Sequence, residues 1–194
     1  MPTWMLLDYG QVLSTAPPDD EWEKLRRAAG PVGEDPDAFH SLYWQYRPEY
    51  DRGDVTVEEY WTRVLGLTPP PGRLEELVRW DVAIWLHPEQ ASVDAAHRAA
   101  ERGWRLALFS NAPVEVAAGI DELEWLKPFE RRFYSCHIRA VKPEPAAYRH
   151  VMQELDALPG DIVFFDDRPP NVEAARAMGI DAHVFIDAGQ IEEV

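Results

Sequence analysis

Two apolar segments near opposite ends of the chain each stop at aspartate. Residues 4–7 are followed by Asp8, and residues 162–165 are followed by Asp166 and Asp167. Continuous apolar runs of this length are typical of strands that are buried on both faces of a parallel sheet. Ligands of such sheets collect just beyond the carboxyl ends of the strands. The sequence therefore predicts that the three carboxylates meet at one crevice.

Three neighbouring carboxylates repel one another and raise one another's pKa values. A hard divalent cation, which prefers oxygen ligands, removes this conflict. The two aspartate-ended segments therefore predict a magnesium site.

Composition narrows the classes of function. A chain of 194 residues that is 46% hydrophobic is long enough for one core and a small inserted unit. The net charge of −16 argues against nucleic acid or an anionic membrane as a partner, since both call for a basic patch. The single cysteine, Cys136, excludes an internal disulfide, and the six histidines lack the spacing of a zinc site.

The amino-terminal sequence has no basic segment followed by an apolar stretch of signal-peptide length. No run approaches the roughly 20 apolar residues of a membrane helix. We therefore expect a cytoplasmic protein, either a monomer or a homodimer.

Residues 15–87 are predicted to form a helical insert after the first strand. Helix starts are indicated by the acidic residues at 19–21, by Asp35 before Pro36, and by Thr56 and Glu59, which have capping-box spacing. Many aromatic residues lie in this insert, and we expect most of them in its core.

From residue 88 onward, helix and strand patterns alternate. Helices are predicted at residues 88–103, 114–126, 143–155 and 171–178, and strands at 105–109, from Phe133, at 162–165 and at 182–186. This alternation is typical of βαβ units. The predicted fold is an α/β, three-layer, doubly wound parallel sheet. Its core is formed by residues 1–14 and 88–194.

Four segments at strand ends or helix starts resemble, in order, the motifs of the haloacid dehalogenase superfamily: LLDYGQVL, LALFSNAP, AVKPEPAAY and VFFDDRPPNVEAARAMGI. The closest likeness is to the branch that contains bacterial sugar-phosphate phosphatases and the amino-terminal phosphatase domain of soluble epoxide hydrolase. In that branch a helical cap lies between the first and second motifs, as residues 15–87 do here. Residues 46–61 are also similar to its cap.

The resemblance implies a role for each strand-end residue. Asp8 would be the nucleophile that forms an aspartyl-phosphate. Mg²⁺ would be bound by Asp8, the Gly10 carbonyl and Asp167, with Asp166 in the outer shell. In the same family pattern, residues at the second and third motifs bind the phosphoryl group and offset its charge: Ser110, the Asn111 amide and Lys142.

The sequence departs from the family pattern at two positions. Active phosphatases usually carry a second aspartate two residues after the nucleophile, as general acid and base, and this chain has Gly10 there. Gln11 can form hydrogen bonds but cannot exchange a proton usefully near neutral pH. Arg139 stands where relatives tend to have glycine, and it either contacts the substrate or points outward.

The leading hypothesis is a magnesium-dependent phosphatase of a small, sugar phosphate-like metabolite. A second is a catalytically weak or inactive relative that binds metal and phosphorylated ligand, which Gly10 favours. A third is the metal-free dehalogenase chemistry of the superfamily, against which the late acidic pair argues. A fourth is a response-regulator receiver, whose acidic pair comes early in its chain, whereas here it comes late.

Overall fold

The computed structural model describes residues 3–194, which form a five-stranded parallel sheet with helices around it. The strands are β1 (Trp4–Leu7), β2 (Arg105–Ser110), β3 (Phe129–Tyr134), β4 (Ile162–Asp166) and β5 (Asp181–Val184). They lie in the order β3-β2-β1-β4-β5, and each neighbouring pair is parallel. The chain first adds β2 and β3 on one side of β1 and then β4 and β5 on the other. The strand order therefore reverses at β1, where a ligand crevice is expected.

The helices within the described residues are α1 (Asp19–Ala28), α2 (Pro36–Arg52), α3 (Val57–Leu65), α4 (Pro71–Ala83), α5 (Gln90–Glu101), α6 (Val114–Asp121), α7 (Ser135–Ile138), α8 (Pro145–Leu155), α9 (Pro169–Ala177) and α10 (Gly189–Glu192). Alternate side chains of β1 point to opposite faces of the sheet. Met5 and Leu7 pack in a cluster with α5 and α6, whereas Trp4 and Leu6 pack with α8 and α9. The predicted three-layer α/β fold is confirmed.

The insert helices α1–α4 share a hydrophobic cluster of their own, which includes Leu25, Phe39, Tyr43, Tyr50, Tyr60, Trp61, Val64 and Leu77. Asp35 caps α2 through the N–H groups of Asp37 and Ala38, and Thr56 with Glu59 forms the expected capping box on α3. The limits of a separate cap at residues 15–87 stay a prediction.

Two elements differ from the predicted ones. The sequence predicted that β3 begins at Phe133, whereas the strand ends at Tyr134. The prediction failed because residues 130–132 are charged and lie on an edge strand, paired with β2, which need not be apolar. The helix predicted at 114–126 stops at Asp121 and is followed by a 3₁₀ turn, Glu124–Leu126. The Asp121 carboxylate accepts hydrogen bonds from Arg132 at 3.0 Å and from the Tyr134 hydroxyl at 2.8 Å, so the helix end is tied to β3.

In residues 3–194, no helix has both the length and the apolar character needed to span a membrane.

The insert contacts the core closely where α4 passes α6. A Cβ added at Gly119 would lie 2.6 Å from Val82 Cγ1, whereas a Cβ at Gly72 of α4 would meet nothing within 4 Å.

We expect Gly119→Ala to be about 1–3 kcal/mol less stable than Gly72→Ala, because overpacking a close contact costs that much. Both substitutions gain helix propensity, so the comparison isolates the contact. Urea unfolding of the two variants measures the difference. Equal stabilities would contradict the described approach of α4 to α6.

Candidate active site at the carboxyl edge of the sheet

The carboxyl ends of β1, β2 and β4 lie side by side because β1 separates the other two strands. Leu7 pairs with Leu108 on one side and with Phe165 on the other. The backbone N–H of Asp8 donates to the Phe165 carbonyl at 2.9 Å, which places Asp8 at the level of Asp166. The two aspartate-ended strands are therefore immediate neighbours.

A cavity of about 140 Å³ lies over this edge. Its core-side lining contains seven of the residues that the sequence singled out: Asp8, Gly10, Gln11, Ser110, Asn111, Lys142 and Asp167. Its opposite side is formed by insert residues, among them Trp44, Arg47, Asp51 and Trp85.

Three carboxylates gather at the base of the cavity. Asp8, Asp166 and Asp167 each offer an oxygen within 4.8 Å of the others. Burial raises the pKa of Asp8 to about 7, with Lys142 opposing the rise and both neighbouring aspartates adding to it. Burial, together with Asp166, also raises the pKa of Asp167. Clustered carboxylate oxygens are the ligand type that Mg²⁺ prefers, so the donor set fits that cation.

Lys142 lies beneath the acidic cluster and is almost fully buried. Its Nζ lies 2.7 Å from each of three oxygens: the Phe109 carbonyl, Asp8 Oδ1 and Asp166 Oδ2. Burial works against the charge of Lys142, but the carboxylates of Asp166 and Asp8 outweigh it and raise the pKa. The ammonium therefore stays charged between the two acids.

The two oxygens of Asp8 have different surroundings. Oδ1 accepts from the Tyr9 backbone N–H at 2.7 Å and lies the same distance from the Lys142 ammonium. Oδ2 accepts no hydrogen bond from residues 3–194. One oxygen is thus held in place, and the other is available to a ligand.

The carboxylates of Asp166 and Asp167 also differ in how many hydrogen bonds they accept. Asp166 is fully buried and accepts from the Arg168 N–H at 2.9 Å and from Asn171 Nδ2 at 2.9 and 3.0 Å, besides Lys142. Asp167 is only partly buried, and among the described residues no side chain pairs with its carboxylate. The oxygens of Asp166 are therefore occupied by hydrogen bonds, whereas those of Asp167 remain available to a ligand.

Asn111 holds the loop that carries Lys142. Its Nδ2 donates to the Lys142 carbonyl and its Oδ1 accepts from the Lys142 N–H, both at 2.9 Å. The Ser110 hydroxyl makes no hydrogen bond to other described residues, although the residue is buried at the cavity. The side chain of Asn111 therefore has a positioning role that the sequence did not indicate.

Gln11 and Arg139 were predicted to contact substrate or relay protons, and they differ in whether they line the cavity. Gln11 is exposed at the cavity, with a left-handed backbone at φ 58°. Arg139 does not line the cavity. Its guanidinium donates to the Gly53 carbonyl and pairs with Asp54 at 3.2 Å, because these acceptors of the insert lie beside α7. Arg139 is therefore paired with the insert, and a contact between Arg139 and substrate stays a prediction.

Several residues of the site were not predicted from the sequence. Asn171, which binds both oxygens of Asp166, lies in the first turn of α9, five residues after its partner, and that spacing was the available signal. Arg47 and Asp51 lie in the segment that resembles the family's cap, but the likeness did not indicate which of its residues face the cavity. Trp44 was expected in the insert core and instead lines the cavity with 41% of its surface exposed.

Comparisons with known proteins show which family the chain matches. The family profile described as haloacid dehalogenase-like hydrolase matches residues 20–179. Bifunctional epoxide hydrolase 2 from Rattus norvegicus is 40% identical over 52 residues, which cover 27% of this chain and 9% of that protein. Phosphorylated carbohydrates phosphatase from Thermotoga maritima is 31% identical over 78 residues, which cover 40% of this chain and 36% of that protein. Both matches span far less than two thirds of the relative's own length.

The fold also matches solved structures. A HAD family enzyme from Bacteroides thetaiotaomicron, solved in complex with magnesium and inorganic phosphate, superposes with a TM-score of 0.77 at 16% identity, covering 94% of this chain and 93% of that chain. At this identity the likeness is one of fold.

We expect MgCl₂ to raise the melting temperature of the wild-type protein and to have much less effect on Asp167→Asn. A cation that binds only the folded state at 100 times its Kd adds about 2.7 kcal/mol of stability. Asp156→Asn is the matched control, because Asp156 is exposed at the end of α8 and its left-handed backbone, φ 49°, tolerates asparagine. An equal response in Asp167→Asn would place the cation elsewhere.

Proposed function

Because the chain belongs to the haloacid dehalogenase-like hydrolase family, we propose that it is a magnesium-dependent phosphatase of a small phosphorylated metabolite. One observation carries the proposal. The unpaired Oδ2 of a buried Asp8 lies at a cavity beside two further carboxylates, while Lys142 holds Oδ1 at 2.7 Å. A nucleophile, a cation-binding set and a fixed positive charge therefore lie at one edge of the sheet.

Asp8 acts as the nucleophile in this proposal. Its Oδ2 attacks phosphorus, the bond from phosphorus to the leaving oxygen breaks, and the phosphoryl group is carried on Asp8 until water hydrolyses it. Lys142 fixes the orientation of the carboxylate through Oδ1. No reorganisation of this pair is needed during the reaction, which is how preorganised electrostatics lower a barrier.

The residues at the end of β2 bind the phosphoryl oxygens. The Ser110 hydroxyl is unpaired at the cavity, and the Asn111 backbone follows at the same edge. Asn111 positions Lys142 through its side chain while its backbone amide donates to the substrate. The positive charge of Lys142 offsets charge on both Asp8 and the phosphoryl group.

Asp8, Asp167 and the Gly10 carbonyl would bind Mg²⁺, with Asp166 holding the arrangement from behind. When bound, the cation supplies positive charge that screens the carboxylates and polarises the phosphoryl group. The carboxylate oxygens of Asp166 already accept hydrogen bonds from Lys142, Arg168 and Asn171. It therefore serves to orient its neighbours.

The lining of the cavity supports a sugar phosphate-like substrate. Trp44 and Trp85 offer apolar indole surfaces, while Arg47, Asp51 and Gln11 offer polar groups to a hydroxyl-bearing leaving group. The volume of about 140 Å³ suits a small molecule. The Thermotoga maritima relative, named as a phosphatase of phosphorylated carbohydrates, supports the same substrate class.

Gly10 favours a second candidate function, a protein that binds metal and phosphorylated ligand with little turnover. Loss of a general acid and base costs about 10²- to 10⁴-fold in rate. A panel of sugar phosphates and aryl phosphates, assayed with MgCl₂ and with EDTA, separates the two. Magnesium-dependent release of phosphate supports the enzyme, and magnesium binding without any release supports the binding protein.

We expect Asp8→Asn to lower turnover by roughly 10⁴- to 10⁶-fold, as substitution of other covalent nucleophiles does. The amide cannot form the aspartyl-phosphate, although it fills the same space. Phosphate release is the measurement, and Asp156→Asn again serves as the control. Wild-type activity in Asp8→Asn would exclude the covalent mechanism.

A further inference from the structure

The proposed phosphatase reaction requires a proton donor that the end of β1 does not provide. The leaving oxygen must gain a proton, and the attacking water must later lose one. Position 10, where the family pattern usually has an aspartate, is glycine in this chain.

Most titratable groups at the cavity already take part in other hydrogen bonds or belong to the acidic cluster. Lys142 gives all its donors to three oxygens, and Asp8 and Asp167 belong to the acidic cluster. The Tyr9 hydroxyl donates to the Trp85 carbonyl at 2.7 Å, and burial raises the pKa of Tyr9 far above the neutral range. Arginine side chains at the cavity remain charged at any working pH.

Asp51 is the remaining carboxyl group that lines the cavity within residues 3–194. It lies in the last turn of α2, and its backbone carbonyl accepts from the Ser135 hydroxyl. That hydroxyl oxygen also accepts from the Ala112 N–H at 3.0 Å. A single side chain therefore connects Asp51 to the loop that follows Ser110, where the phosphoryl group is expected.

The carboxylate of Asp51 is half paired. Oδ1 accepts from Arg47 Nε at 2.7 Å, whereas Oδ2 accepts no hydrogen bond from the described residues. Arg47 is itself held by Asp81 at 2.9 Å. The pair with Arg47 thus orients Asp51 and leaves one oxygen for the cavity.

The surroundings of Asp51 suit proton exchange. Burial raises the pKa of Asp51 to about 6, with Arg47 and Arg168 acting in the opposite direction and Asp81 adding to the rise. These charges come from α2, the loop after β4 and α4. Acid–base catalysis is most efficient when the pKa of the group lies near the working pH.

We propose that Asp51 of the insert is the general acid and base of the reaction. In the first half, Asp8 Oδ2 forms a bond to phosphorus as the bond to the leaving oxygen breaks. The electron pair of that bond goes to the leaving oxygen, which takes the proton of the Asp51 carboxyl group and departs as an alcohol.

The second half regenerates both aspartates. Asp51, now a carboxylate, takes a proton from water as the water oxygen bonds to phosphorus. The bond from phosphorus to Asp8 breaks, its electron pair returns to the Asp8 carboxylate, and inorganic phosphate leaves. The sum is one water consumed for one alcohol and one phosphate released.

Three phosphate esters of similar size test the proposal: 4-nitrophenyl, phenyl and benzyl phosphate, in order of rising leaving-group pKa. We expect Asp51→Asn to lower kcat/KM for benzyl phosphate by about 10²- to 10⁴-fold and to affect 4-nitrophenyl phosphate far less, since a good leaving group needs no proton. A structural role would lower all three alike.

Asp81→Asn is the matched control, because it removes the other carboxylate of Arg47 and does not line the cavity. It should leave the ratios among the three rates close to those of the wild-type protein, whereas Asp51→Asn changes them. Gly10→Asp in the Asp51→Asn background should restore hydrolysis of benzyl phosphate. A Cβ at position 10 meets nothing closer than Trp85 at 3.9 Å, so the site has room for the new side chain.

A measurement on the wild-type protein covers the case in which Asp51→Asn does not fold. The ratio of kcat/KM for benzyl phosphate to that for 4-nitrophenyl phosphate should fall as pH rises through about 6, because the acid loses its proton there. The two esters differ in the pKa of the phosphate group, so each kcat/KM is first divided by the fraction of the ester that is dianionic at that pH. A constant ratio would overturn the role of Asp51.

The outcomes separate this inference from the proposed function on which it rests. Wild-type turnover with an unchanged leaving-group series in Asp51→Asn overturns the inference alone. Absence of wild-type turnover on all three esters and on the sugar phosphates overturns both.

Discussion

The buried ammonium of Lys142 is the interaction on which the candidate site depends. It lies 2.7 Å from the Phe109 carbonyl, Asp8 and Asp166, and these residues stand at the ends of β2, β1 and β4. One cation therefore ties three neighbouring strands together at the edge where ligands are expected. Buried carboxylates without such a partner would either take up protons or cost several kcal/mol of folding free energy.

Around this contact, the polar groups fall into two sets. Asn111 fixes the backbone of Lys142 and Asn171 fixes the carboxylate of Asp166, so the supporting atoms are saturated with hydrogen bonds. Asp8 Oδ2 and the carboxylate of Asp167 have no such partners among the described residues. Saturated atoms hold the site rigid, and the unpaired atoms remain available to ligands, which is the arrangement that preorganised catalysis requires.

The insert contributes the opposite wall of the cavity. The core provides the acidic cluster and Lys142, whereas α2 provides Trp44, Arg47 and Asp51. The contact of Ser135 with Asp51, like that of α6 with α4, joins the two sides directly. The proposed chemistry is therefore divided, with the nucleophile on the sheet and the proton donor on the insert.

Local patterns in the sequence determined the strand ends at Asp8 and Asp166, the order of the four motifs and the capping box of α3. These features depend on residue periodicity and on neighbours a few positions apart. β3 was only partly predicted, because its charged residues 130–132 lie on an edge strand that need not be apolar. The positions of Asp51 and Asn171, and the pairing of Arg139 with the insert, were decided by tertiary structure alone. Each of these side chains is polar in an ordinary helix or loop, and only long-range packing determines whether it faces the cavity, a buried carboxylate or solvent.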